Sequence, residues 1–321
     1  MKVLTRLTLL LLPVGLGLAG CRGAHTIPPA DTAALVEGRD PSAPAIRRAA
    51  QQLDAGQADA AFESLVAWFQ TPASVRDPDR DLALYLAANA LIEERQRIKA
   101  FYYLDELLDL HRSSPLYADA ARRQFEIAES YLRGEHDKAL FLQQSTDNDA
   151  LEMLFRVQFR VPGSELAEAA LLRTADYYFE DEQFDFAEDA YTVFVERFPR
   201  SDDVPEARLR QAWSNLLQYQ GPRYDPTPLL DARQQFEAFA NAYPGRADAA
   251  RLQDIRDYID RELAKKDLIK ASYYARTNDP DAAEQLRERV VEAYPDTPQG
   301  ERARRLIRPT TRRADDAGAG E

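Results

Sequence analysis

A twelve-residue interval constrains this chain more than any other feature. Ala150 precedes Pro162, Ala187 precedes Pro199, Ala232 precedes Pro244 and Ala283 precedes Pro295, each by twelve positions. In three of these units the residue before the proline is aromatic: Phe198, Tyr243 and Tyr294. Two further units, at Ala61 and Ala100, keep the alanine without a proline in register. Twelve positions upstream of Ala61, Ala100, Ala187 and Ala283 stand Ala49, Ala88, Ala175 and Ala271. A small side chain on each of two antiparallel helices lets their backbones approach, and larger residues fill the gaps between neighbouring hairpins. Proline ends the second helix because it lacks the N–H of the hydrogen-bond ladder, and it drives its predecessor out of the helical region. From Pro44 to Ile307 nearly every other stretch has amphipathic helical spacing broken by Pro, Gly and Asp-rich turns, with no strand alternation.

This grammar resembles the tetratricopeptide repeat, a helix–turn–helix unit of about 34 residues. The expected fold is all-α, a tetratricopeptide-repeat superhelix of about five to six helical hairpins over residues 44–307. Successive second-helix alanines lie 37 to 51 residues apart, so the extra length falls in loops or longer helices. One insertion runs from Gly134 to Asn148. A second, Gly221 to Pro228, cannot be helical throughout. Arg246 to Thr277 has neither Pro nor Gly, and Leu252, Ile255, Ile259 and Leu263 keep helical spacing, which predicts one long helix, bent or straight.

The N-terminus reads as an address. Lys2 and Arg6 precede an apolar run from Leu7 to Leu18, too short for a comfortable membrane span of about 20 residues and suited to a signal peptide over 1–20. Leu18-Ala19-Gly20-Cys21 resembles the bacterial lipobox, which implies cleavage after Gly20 and acylation of Cys21 by palmitate-type chains. Two or more chains give stable anchoring where one is marginal. Loss of Lys2 and Arg6 with the leader takes the net charge from −13 to −15, so lipid rather than charge must hold the chain at a membrane. Arg22 stands where an Asp would favour inner-membrane retention, which points to the outer membrane. Residues 21–43, rich in Ala, Pro, Gly, Asp and Thr, read as a flexible tether with an r.m.s. span of about 25 Å. Residues 308–321 read as a disordered tail.

Composition removes several function classes. A net charge of −13 argues against nucleic acid, whose phosphates need a concentrated basic surface. One cysteine forms no intramolecular disulfide and no Cys-based zinc site. His25, His111 and His136 are far apart, so no metal is expected, and no glycine-rich phosphate loop exists to hold a cofactor. Acidic runs such as Glu180-Asp181-Glu182 and Asp202-Asp203 read as solvated faces or helix caps. His136, beside Asp137 and Lys138, reads as an exposed loop histidine. Trp68, Trp213, Phe101-Tyr102-Tyr103 and Tyr177-Tyr178 read as packing between hairpins. Nothing announces a nucleophile with its base, and the chain is expected to be no enzyme, with no small-molecule substrate.

Repeat arrays of this kind line their inner face with first helices. The alanine register places Tyr85 and Asn89, Arg122 and Glu126, Asp176 and Phe179, and Trp213 on that face, a mixed groove suited to a partner's peptide. The segments Leu263-Ala264-Lys265, Leu268 to Tyr274 and Tyr294-Pro295-Asp296-Thr297-Pro298 resemble the last repeat of the BamD (YfiO/ComL) family of outer-membrane lipoproteins. Phe198-Pro199-Arg200-Ser201 with Ala207, and Val161-Pro162-Gly163-Ser164 with Ala167, resemble its other repeat junctions, so the likeness covers residues 115–307 and the lipobox. The resemblance implies a periplasmic adaptor of β-barrel assembly. Its partners would be a barrel-assembly subunit with POTRA domains, other assembly lipoproteins and unfolded outer-membrane proteins. Two other readings stand beside it: a repeat lipoprotein coordinating another envelope process, and a hydrolase using groove carboxylates such as Glu126 or Asp176.

Overall fold

Proline sets the helix ends. The computed structural model describes residues 27–135, 137, 146–249 and 251–307, and among these it has fifteen α-helices and no strand. Helices α1 to α5 span Thr32–Arg39, Pro44–Asp54, Ala58–Phe69, Arg80–Glu93 and Arg97–Leu110. Helices α6 to α10 span Tyr117–Leu132, Thr146–Arg160, Glu165–Glu180, Phe184–Arg197 and Val204–Gln218. Helices α11 to α15 span Thr227–Ala242, Pro244–Ala249, Leu252–Arg276, Pro280–Ala293 and Pro298–Leu306. Each helix that precedes an in-register proline stops two residues short of it: α7 before Pro162, α9 before Pro199, α11 before Pro244, α14 before Pro295. Tyr243 and Tyr294 sit at φ −134°, outside the helical region, as a residue before proline must.

The alanines do what their size allows. All six second-helix alanines are fully buried, and Ala49, Ala88, Ala175 and Ala271 expose at most 1%. Ala128 on α6 and Ala212 on α10 hold the same position in the two remaining first helices, also at 0%. They precede Ala150 and Ala232 by more than twelve residues, because the insertions lengthen the turns between. The chain is therefore an all-α array of hairpins of tetratricopeptide type.

The array divides into two compact units. Among the described residues, the first holds everything up to Asp181 with Val193–Arg200, and the second holds Glu182–Thr192 and everything from Ser201. In the first, α2 pairs with α3, α4 with α5 and α6 with α7, and α8 packs on α7. Helix α4 is buried on all sides: Leu82, Leu84, Leu86 and Leu91 have no exposed surface. Each such leucine contributes about 1.5–3 kcal/mol relative to exposure. In the second unit, α10 pairs with α11 and α13 with α14, while α15 packs on both α13 and α14. Gly300 permits that last contact, since a Cβ there would lie 2.3 Å from the Tyr294 carbonyl oxygen.

Three expectations change. The tether does not extend to residue 43: the chain is ordered from Ile27, contains α1, and packs Ile27, Ala30, Leu35 and Val36 against the first core. The long helix is broken, because Arg251 adopts a left-handed φ of 53° between α12 and α13, although Leu252, Ile255, Ile259 and Leu263 are buried as their spacing requires. The Gly134–Asn148 insertion is shorter than expected, with α7 already helical from Thr146. His136, the signal peptide with Cys21, and the tail from Arg308 lie outside the described residues.

Candidate functional site

The first-helix face of the first unit carries a segment of the chain itself. Residues 27–39 form an arm whose polar anchors reach three successive first helices. Arg123 Nη1 on α6 donates to the Pro28 carbonyl at 2.6 Å. Thr32 Oγ1 donates to Asp54 Oδ1 at the end of α2, at 2.7 Å. Arg39 clamps Asp81 on α4 with two parallel bonds of 2.7 and 2.9 Å, the bidentate geometry that makes arginine–carboxylate pairs strong. Burial pushes the Asp81 carboxyl up. The Arg39 guanidinium, the Ser114 hydroxyl and the Leu82 amide outweigh this and hold it below its ordinary value. Arg123 also pairs with Glu126 at 2.9 Å.

Burial changes the standing of the groove residues read from the register. Tyr85 and Asn89 expose only 5% and 3%, so they offer no surface to a peptide, and Asn89 Nδ2 donates to the Tyr85 carbonyl instead. Their polarity sits in a helix packed on α2, α3 and α5, and burial rather than exposure is the correction. Glu126 is half-buried and belongs to the cluster that holds the arm. Arg122 is exposed on α6, and Asp176 and Phe179 are half-buried on α8. Trp213 lies in the second unit on α10, half-buried, with its ring edge-on to Phe236 at 5.5 Å. The register therefore gathers Arg122, Glu126, Asp176 and Phe179 on helices of one unit, with Trp213 in the other.

Two concave features flank this face in the first unit. Between the arm and the ends of α2 and α4 lies a cleft of about 580 Å³, lined in part by Ile27, Pro29, Gly56, Ile92, Glu93 and Arg95. Burial and the neighbouring Glu94 push the Glu93 carboxyl up, while Arg123 pulls it back. At its rim Arg97, 4% exposed, pairs with Glu135 at 2.5 Å, and Asp137 accepts from the Arg97 and Ile98 amides, which ties the start of the insertion to α5. On the second helices, Phe155 and Phe159 stand 66% and 80% exposed, one turn apart on α7, beside a 250 Å³ hollow bounded by Leu108, Arg112 and Arg160.

Sequence reasoning missed the arm. Its signals are an acid, Asp81, at the head of an otherwise Leu/Ala-rich helix, and Leu35-Val36 with Arg39 in a segment otherwise poor in large residues. It also missed Phe155 and Phe159, which form a second apolar stripe offset from Ala150, Leu154 and Val157.

The second unit is held differently. Gln211 Nε2 donates to Thr192 Oγ1 at 2.6 Å and Glu188 Oε1 at 3.1 Å, and Asn215 Nδ2 donates to Gln235 Oε1 at 3.0 Å, so an amide ladder links α9, α10 and α11. Tyr258 on α13, pushed up to about 12 by burial and by Glu262, stays neutral. Among the described residues no group of three potential metal ligands occurs, and no helix is long and apolar enough to cross a membrane.

The model of the YfiO family, described as outer membrane lipoprotein, matches residues 129–312, more than half of the chain. The chain belongs to the YfiO family. The match begins inside α6 and takes in every later helix, so the YfiO region includes Asp176, Phe179 and Trp213 and leaves the arm and the first two hairpins outside. A curated relative, the outer membrane protein assembly factor BamD of Rickettsia prowazekii, is 23% identical over 158 residues, which cover 49% of this chain and 63% of that protein. The alignment thus spans less than two thirds of that YfiO relative. A solved structure, the C-terminal part of a tetratricopeptide repeat-containing protein from Cytophaga hutchinsonii, aligns over 84% of this chain and 91% of its own at 13% identity with a TM-score of 0.38, a loose likeness.

Proposed function

We propose that this chain is a lipid-anchored, non-catalytic scaffold on the periplasmic side of the outer membrane, acting in β-barrel protein assembly through protein–protein contacts. The observation that carries the reading is the family match from α6 to the end of the hairpin array. The name of the Rickettsia relative, an assembly factor, supplies the process. Leu18, Ala19 and Gly20 form the processing signal and Cys21 takes the lipid. Partners would be a barrel-assembly subunit with POTRA domains, other assembly lipoproteins and unfolded outer-membrane proteins. Arg122, Asp176, Phe179 and Trp213 remain the candidate contact residues, and Tyr85 and Asn89, buried in α4, leave that set.

The test is capture of the acylated full-length chain from crosslinked membranes, followed by mass spectrometry. Recovery of a POTRA-bearing barrel subunit supports the reading. Its absence, with Cys21 shown by mass to be acylated, overturns the assembly role and favours a scaffold of another envelope process. Cys21→Ser is expected to leave an uncleaved or soluble precursor, and unchanged membrane attachment would refute the anchor.

A further inference from the structure

The docked arm has a consequence for where the hairpins stand, and this consequence rests on the anchor proposed above. A tether running to residue 43 would let the array drift. The chain is instead fixed from Ile27, by the Arg123–Pro28, Thr32–Asp54 and Arg39–Asp81 contacts and by Ile27, Ala30, Leu35 and Val36 in the first core. Only six steps of chain separate Cys21 from Ile27. Fully extended, they reach about 20 Å at ~3.3–3.6 Å per residue. Ile27 itself shares a cleft with Gly56, in the α2–α3 turn, and Arg95, in the α4–α5 turn.

We propose that the docked arm turns the anchor into a short leash, holding the edge of the first unit that carries the α2–α3 and α4–α5 turns against the lipid headgroups. The opposite edge lies one helix length away: α5 has 14 residues, about 21 Å at 1.5 Å each, and ends beside Ser113. That edge is therefore displaced from the arm's start by as much as the whole leash can reach. The partner of the turn edge is thus a lipid surface, and its attachment is set by the arm rather than by surface charge. Around these turns Asp54 and Glu93 offset the exposed Arg95, and Glu135 is paired with Arg97, so charge offers no general attraction to anionic lipid.

The measurement uses full-length acylated protein in phosphatidylethanolamine–phosphatidylglycerol vesicles containing a nickel-chelating lipid. With Cys21 acylated, Gln57→Cys or Ser113→Cys supplies the one free thiol for a nitroxide, and both positions are exposed. The nickel-induced relaxation enhancement is expected to be severalfold larger at 57 than at 113. Inserting a Gly-Ser stretch of about 20 residues between Thr26 and Ile27 is expected to abolish the contrast. Equal enhancement at both positions, or a contrast that survives the insertion, overturns the leash while leaving the anchor intact. A mass showing unacylated Cys21 in membrane-extracted protein overturns the anchor, and the leash with it.

Discussion

The two units solve the same packing problem with different fasteners. In the first, arginine–carboxylate pairs bridge helices: Arg80 to Glu106 at 2.6 Å from α4 to α5, Arg160 to Asp105 at 2.6 Å from α7 to α5, Arg173 to Glu129 at 2.9 Å from α8 to α6, and Arg39 to Asp81 over the arm. In the second, α9, α10 and α11 are joined through glutamine, asparagine and threonine side chains, and a close ion pair such as Arg289–Asp267 involves a half-exposed arginine. Exposed pairs contribute little and are screened by salt. The pair that matters is the one at Asp81, where a carboxylate 5% exposed would lose its compensating cation and be left with the Ser114 hydroxyl and the Leu82 amide. The first unit is thereby the ionically tuned one, and it is tuned where the arm docks.

Two tryptophans let the comparison be broken cleanly, since Trp68 reports on the first unit and Trp213 on the second. The largest effect is expected from Leu86→Ala in the fully buried α4. It leaves a cavity costing about 2–5 kcal/mol. In a urea titration the Trp68 transition should move to lower denaturant while the Trp213 transition holds. Equal movement of both would show that the units do not unfold separately. Ala232→Leu in α11 is the reciprocal change, overpacking a helix crossing for about 1–3 kcal/mol and moving the Trp213 transition. A neutral result there would refute the alanine register.

Next in size is the arm. Asp81→Asn removes charge-assisted bonds worth about 1.5–3 kcal/mol to the docked state. It is expected to raise hydrogen exchange across α1. The wild-type pH dependence follows from the sign of the shift. The Asp81 carboxyl is held below its ordinary value in the folded chain, so its stabilisation is complete above about pH 3.9 and fades as pH falls through the lowered value. Exchange across α1, taken relative to the intrinsic amide rate at each pH, should therefore stay slow at neutral pH and rise only in that acid range. A rise near pH 6 would mean that another group holds the arm.

The contrast also explains what could be read in advance. Hairpins, their proline-set ends and the alanine contacts follow from local chemistry: a missing N–H and a missing side chain act on residues a few positions away. Ala128 and Ala212 escaped because loop length shifts their spacing without altering their burial. The arm escaped for a deeper reason. Ile27 to Arg39 has no amphipathic period, and its order comes from contacts up to 95 residues away in sequence, as between Arg123 and Pro28. Leu35, Val36 and Arg39 are the few residues that set such a segment apart from a tether. Tyr85 and Asn89 were misplaced for the same reason, since register gives the face of a helix but not what covers it.

The smallest expected effect bears on the second unit's amide ladder. Gln211→Ala removes donors to Thr192 and Glu188 at the junction of α9 and α10. A net loss of about 1 kcal/mol is expected, the usual worth of a side-chain hydrogen bond, here shared between the Thr192 hydroxyl and the Glu188 carboxylate, both half-buried. The informative part is its salt dependence. Because Gln211 carries no charge, the Trp213 midpoint of the variant should fall by the same amount at low and at high ionic strength. The Arg39→Ala penalty, read as exchange across α1, should shrink only slightly with salt, because Asp81 is buried and its pair is screened far less than an exposed one. If the Gln211→Ala penalty also shrank with salt, the ladder would owe its strength to the Glu188 charge, and the division into an ionic unit and an amide unit would fail.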